Sequence, residues 1–201
     1  MVLRGYLTKS PSKTITPSTR ASLIAILVAL SVSSNYALVW IPNVKFMDLL
    51  VFVAGFIAGP LDGAMVGILT WIVYGFLNPY GWVPTILIAT TLAETIYGIF
   101  GGILRRKSSQ AGRAELALLG LLCTFLYDLL TNFVFALTFK IPLTIAFLAG
   151  IPFALVHELS NAALFSIVGP ELIGFINKIF LPKANDKGTH SSINYERQFD
   201  V

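Results

Sequence analysis

Apolar residues along this chain fall in long blocks without strict two-residue alternation, separated by short stretches rich in Pro, Gly, Asn and basic residues. The pattern predicts six helical runs, at roughly 21–40, 47–59, 62–77, 83–104, 114–139 and 145–180, the last broken near Gly169-Pro170. About 20 apolar residues carry an α-helix across the hydrocarbon of a bilayer, where only helices and closed barrels satisfy their own backbone polar groups. The lack of alternation disfavours a barrel. The second and third runs are short for full spans. They meet at Gly59-Pro60-Leu61-Asp62-Gly63, where proline and glycine allow a tight turn at the membrane surface or somewhat inside it.

Composition supports this reading. The 201 residues are 56% hydrophobic and 12% charged, with a mean hydropathy of +0.79. Soluble domains carry about 25% charged residues, so this chain has too few charges to cover a water-exposed surface. The expected class is an all-α membrane protein built as a bundle of six transmembrane helices.

The basic residues orient that bundle. Arg4, Lys9, Lys13 and Arg20 precede the first run, and Arg105, Arg106, Lys107 and Arg113 join the fourth and fifth. Lys178, Lys183, Lys187 and Arg197 end or follow the sixth. With six crossings all twelve fall on one side, leaving Lys45 and Lys140 on the other, so the positive-inside rule makes both termini cytoplasmic. The same distribution explains the net charge of +4 without invoking nucleic acid. Three segments follow: a cytoplasmic stretch 1–20, the membrane domain 21–180, and a polar cytoplasmic tail 181–201. The first run is read as a retained helix, because no small-residue cleavage signature follows it. Cys123 is the single cysteine, so an internal disulfide is excluded.

Polar residues inside the runs are the candidate chemistry. A carboxylate at the bilayer centre costs about 2.5–3.5 kcal/mol and therefore faces a bundle interior or a wet cavity. Glu94 falls near the middle of the fourth run and Asp128 near the middle of the fifth, with Thr124 and Asn132 a turn away on the same face. His157 and Asn161 share a face of the sixth. One reading is a hydrogen-bond network that only fixes packing. The other is a polar cavity opening outward, with Tyr74, Tyr97, Phe133 and Phe153 available to stack on an organic ligand. The outer loops 40–46 and 78–84 add Asn43, Lys45, Asn78, Tyr80 and Trp82. Their rings suit the headgroup belt, but the hydrogen-bonding groups beside them favour loops that cover a ligand. The candidate substrate-binding set is thus Asn43, Lys45, Asn78, Tyr80, Trp82, Glu94, Asp128, Asn132, His157 and Asn161.

Enzymatic readings find little support. "HELSN" at 157–161 places Asn161 where a zincin needs its second histidine. No Walker-type phosphate loop and no recognisable Ser-His-Asp context occurs, so no catalytic residue, metal or cofactor is expected. Two small-residue patterns remain. Ala21, Ala25 and Ala29 recur every four residues along the first run, and Gly55, Gly59, Gly63 and Gly67 do so across the second and third. Small residues let helix backbones approach closely in lipid. The glycines are expected to pack the bundle, whereas the alanines could face another protein.

The run "IPNVKFMDLLVFVAGFIAGPLDGAMVGILTWIVYGFLNPYG", 41–81, resembles the substrate-binding S component of energy-coupling factor (ECF) vitamin transporters. The length, the six runs and the Ala21/Ala25 stripe agree with it. The resemblance implies a vitamin or related micronutrient bound near the outer face, under the loops 42–46 and 78–82 and between the last three helices. It further implies docking through Ala21, Ala25 and Ala29 onto a transmembrane coupling subunit powered by two ABC-type ATPases, with the whole component toppling to deliver its load. Cobalamin-type components are the nearest in "DLLTN" and "HELSN". The alternatives are an ion- or proton-coupled carrier working alone through Asp128, Glu94 and His157, or a membrane enzyme or its accessory subunit.

Overall fold

Prolines and glycines decide where the helices of this chain begin and end. Thr16 caps the first by accepting a 3.3 Å hydrogen bond from the Thr19 amide, and Pro17 takes the first helical position, where a missing N–H costs nothing. The computed structural model describes residues 16–79, 81–107 and 111–180. Within them the order is α1 (Pro17–Ala37), α2 (Met47–Ala58), α3 (Pro60–Phe76), α4 (Pro84–Lys107), α5 (Arg113–Phe139), α6 (Leu143–Ile167) and α7 (Gly169–Phe180), with no strand among the described residues. Residues 1–15 and the tail from 181, both expected at the cytoplasmic side, lie outside the described residues.

Single residues separate the elements. Gly59, at φ 110°, both ends α2 and starts α3, with Pro60 immediately after it. That is a left-handed position that a side chain would strain. Lys140 ends α5 in the αL conformation two residues before Pro142. The predicted break at Gly169-Pro170 falls one residue earlier, at Val168, and yields a separate α7.

Four helices are long and apolar enough to cross a membrane: α1, α4 (Pro84–Arg106), α5 and α6. The 17-residue α3 extends about 25 Å, and the 12-residue α2 only about 18 Å. Eleven of the twelve residues of α2 are buried, because α1, α3, α4, α6 and α7 all pack around it. A helix that meets protein on every side needs no lipid-facing surface.

Contacts between ends give the helix directions. Arg20 in the first turn of α1 pairs with Asp62 in the first turn of α3 at 2.5 Å, and Tyr36 near the end of α1 donates to the Leu77 carbonyl just past α3 at 2.8 Å. These two helices are therefore parallel, with α2 running back between them. Thr138 near the end of α5 meets Thr85 at the start of α4 at 2.9 Å, so α4 and α5 are antiparallel.

Glycines bring α2, α3 and α4 together backbone to backbone. A Cβ on Gly55 would stand 1.9 Å from the Gly98 carbonyl oxygen, and one on Gly98 would stand 2.2 Å from the Gly63 carbonyl carbon. Gly67 packs against Glu94. The expectation that the glycines pack the bundle holds for Gly55, Gly63 and Gly67. Gly59 is the exception: nothing lies within 4 Å of its would-be Cβ, and its role is the turn. The alanine stripe behaves oppositely, since Ala21, Ala25 and Ala29 are all exposed while Leu23 and Leu27 form the packed face of α1.

Candidate functional site

Where α1 ends, α6 presents small residues instead of long ones, and a cavity of about 750 Å³ opens there. Ala146, Ala149, Gly150 and Ala154 form its α6 wall, with Phe153 beside them. Across it α5 contributes Asp128, Thr131, Asn132 and Phe135, and α1 contributes Asn35, followed by its C-cap Leu38. Tyr74 and Asn78 come from α3 and the residues just after it, and Thr90 from α4. The connection after α1 supplies Ile41 through Lys45. Asn43, at φ 56°, donates from Nδ2 to the Phe153 carbonyl at 3.1 Å, tying that connection to α6.

Two buried rings belong to the cavity wall. Trp71 and Tyr127 stack with centroids 6.5 Å apart, and the Lys45 ammonium lies over both, 4.5 Å from the Tyr127 centroid and 5.5 Å from that of Trp71. Cations are attracted to ring faces at this range. Trp71 also donates from Nε1 to Glu94 at 3.0 Å, which satisfies its only polar atom and anchors the ring.

Beyond those rings lies a buried polar chain. His157 stands between two carboxylates, with Nε2 2.8 Å from Asp48 and Nδ1 3.0 and 3.2 Å from the two oxygens of Asp128. A neutral imidazole donates from one nitrogen only, so both contacts are hydrogen bonds together only when the three groups share one proton more than a neutral histidine between two carboxylates carries. Asn161 extends the chain, its Nδ2 lying 2.6 Å from Asp48, 2.8 Å from Thr124 and 3.3 Å from the Tyr97 hydroxyl. Tyr97 and Thr124 are 3.0 Å apart. The chain thereby joins α2, α4, α5 and α6, and Asp128 is the member that also reaches the cavity.

The predicted residues divide accordingly. Asn43, Lys45, Asn78, Asp128 and Asn132 are brought together on the cavity wall. Glu94, His157 and Asn161 are not; each is fully buried one layer deeper, because each finds a protein partner there. Trp82 packs edge-on against Phe76 at 4.9 Å and stays about half exposed, away from the cavity. Tyr80 lies outside the described residues. Of the four aromatics expected around a ligand, Tyr74 and Phe153 line the cavity. Tyr97 is buried in the polar chain, and Phe133 points into a separate apolar groove with Leu129, Leu130 and Phe147.

Asp48, Trp71 and Tyr127 were not anticipated from sequence. Asp48 carried one signal, a lone acid heading an otherwise apolar helix, which also suits an ordinary first-turn acid beside the helix dipole.

Neither a curated protein nor a solved structure matches the chain. A family model described as "ECF transporter, substrate-specific component" matches residues 21–173, which takes in every cavity-lining residue just named. As a transporter subunit of this kind the chain is a membrane protein with a small-molecule substrate and is not an enzyme. The apolar spans, the cavity and that match lead to one conclusion: this chain belongs to the family of substrate-specific components of ECF transporters.

Proposed function

We propose that this protein captures a vitamin or related micronutrient in the cavity beside Lys45 and Asn132 and delivers it through a separate coupling subunit driven by two ABC ATPases. The observation that carries the reading is the cavity itself. Its 750 Å³ falls within the usual 300–1,000 Å³ of small-molecule sites, and among the described residues its walls mix rings, amides and one lysine ammonium without an ion pair. That volume suits a drug-sized vitamin better than cobalamin.

In this reading the chain crosses the plasma membrane six times with both termini in the cytoplasm, α2 and α3 completing the set begun by the four longer helices. The cavity then opens outward, under the connection after α1. The exposed Ala21, Ala25 and Ala29 form the flat strip that docks on the coupling subunit.

The direct test is mass spectrometry of small molecules released from the purified protein, with a thermal-shift panel of vitamins. One compound recovered near stoichiometry and raising the melting temperature is the expected result. A protein that carries nothing and is stabilised by nothing overturns the reading. Docking is tested separately with Ala25→Trp, which is expected to bind ligand normally but to abolish uptake in cells that supply the coupling module. Normal uptake by that variant removes the docking assignment.

A further inference from the structure

The cavity wall holds many polar groups, and most of their strong donors are already engaged. Asn43 Nδ2 donates to the Phe153 carbonyl, Asn132 Nδ2 to the Asp128 carbonyl, and Asn35 Nδ2 to the Met47 sulfur. Asp128 turns both carboxylate oxygens to His157. Lys45 differs. Its ammonium has one long hydrogen bond, 3.4 Å to the Tyr127 hydroxyl, and two ring faces. Among the described residues it makes no ion pair, and it is the cavity's only lysine or arginine. An ammonium has three N–H donors, so most of its capacity is unspent.

Resting on the binding reading above, we propose that the transported molecule is a carboxylate-bearing organic anion whose carboxylate pairs with Lys45. A single monovalent cation matches a carboxylate better than a doubly charged phosphate. The Trp71 and Tyr127 rings beneath the ammonium supply an apolar bed for the rest of the molecule and lower the local dielectric, which strengthens the pair. Asn35 also belongs to the cavity wall. Its side-chain oxygen lacks a hydrogen-bond partner, so a small turn of that side chain would offer an acceptor to an N–H of the same ligand. The rival role for Lys45 is to offset the buried carboxyls Asp48 and Glu94 at longer range. That role predicts loss of folding on removing the charge, with no change in which ligands are preferred.

The test uses the purified full-length protein in detergent and matched pairs of acid and uncharged analogue: nicotinate with nicotinamide, biotin with biotinamide, lipoate with lipoamide, pantothenate with pantothenol. Cationic thiamine and neutral riboflavin complete the mixture. The compound retained after gel filtration is identified by mass spectrometry, and its affinity is compared with that of its partner. The expected result is an acid, held at least about thirtyfold more tightly than its uncharged analogue, as befits a desolvated charge pair. Lys45→Met should erase that ratio and Lys45→Arg should keep most of it. If Lys45→Met does not fold, the acid-to-amide ratio of the wild type and of Lys45→Arg still decides. Retention of a neutral or cationic compound, or an unchanged ratio in Lys45→Met, overturns this inference and leaves the binding reading standing. Retention of nothing overturns the binding reading and this inference with it.

Discussion

The facing surfaces of α5 and α6 carry polar side chains at two levels, and the two levels do different things. At the deeper one, Thr124 and Asp128 meet Asn161 and His157, groups long enough to reach across and bond. One turn along α5 from Asp128, Asn132 faces Gly150, whose would-be Cβ lies 2.6 Å from the Asn132 side-chain oxygen. Around it Ala146, Ala149 and Ala154 leave the wall bare. Polar residues on one helix face thus become framework where the opposite residue is large and become cavity where it is small. An ionisable group inside a membrane helix is consequently no guide by itself to ligand contact. The size of the residue opposite it decides.

That comparison breaks most visibly at His157. Replacing it with alanine leaves Asp48 and Asp128 buried without their shared partner, a change that costs about 3–5 kcal/mol for a broken buried pair. His157→Ala is therefore expected to lose most of its monodisperse peak in detergent and to melt far below the wild type. A variant that melts normally yet no longer binds ligand would move His157 from framework to site.

A second and smaller effect is expected where α3 and α4 touch. Gly98→Ala forces a methyl to within 2.2 Å of backbone that cannot swing aside, and overpacking of this kind costs about 1–3 kcal/mol. The melting temperature should fall while affinity, measured below it, stays unchanged. An unaltered melting temperature would show that the two helices can separate freely.

The subtlest test sets the two levels against each other. Asn161→Ala removes donors to Asp48 and Thr124 and should lower stability by about 1–3 kcal/mol with affinity intact. Asn132→Ala should do the reverse, weakening ligand about tenfold, the equivalent of one ordinary hydrogen bond, at nearly constant melting temperature. Parallel changes in both variants would erase the distinction.

How far the sequence could be read follows the same division. Helix positions were legible because lipid demands long apolar runs, and the turn at Gly59-Pro60 because few other dipeptides reverse a helix so tightly. That Glu94, Asp128, His157 and Asn161 face the bundle interior was legible, since polar groups within apolar runs avoid lipid, and all four are buried, though only Asp128 lines the cavity. Partner choice was not legible. Whether His157 meets a ligand or Asp48 depends on a helix 109 residues away in sequence, and no local pattern records that pairing. The rings of Trp71 and Tyr127 went unnoticed for the same reason, as each sits in a run where aromatics are ordinary. The loops after α1 and α3 showed their polar groups, yet among the described residues the first lines the cavity from Ile41 through Lys45 and the second through Asn78.

The short α2 has a consequence for how the protein is made. At 12 residues it is shorter than a typical span and relies on its neighbours for cover, and its Asp48 carboxylate is secured by His157 and Asn161, which follow it by 109 and 113 residues. At the usual synthesis rate of about 5–20 residues per second, roughly 5–20 seconds separate the emergence of Asp48 from that of its partners. Throughout that interval the nascent chain holds a helix whose place in the membrane has not been built. Chains cut short before α6 are thus expected to leave α2 exposed to the cell's membrane proteases, and full-length chains to become resistant only when the sixth helix arrives.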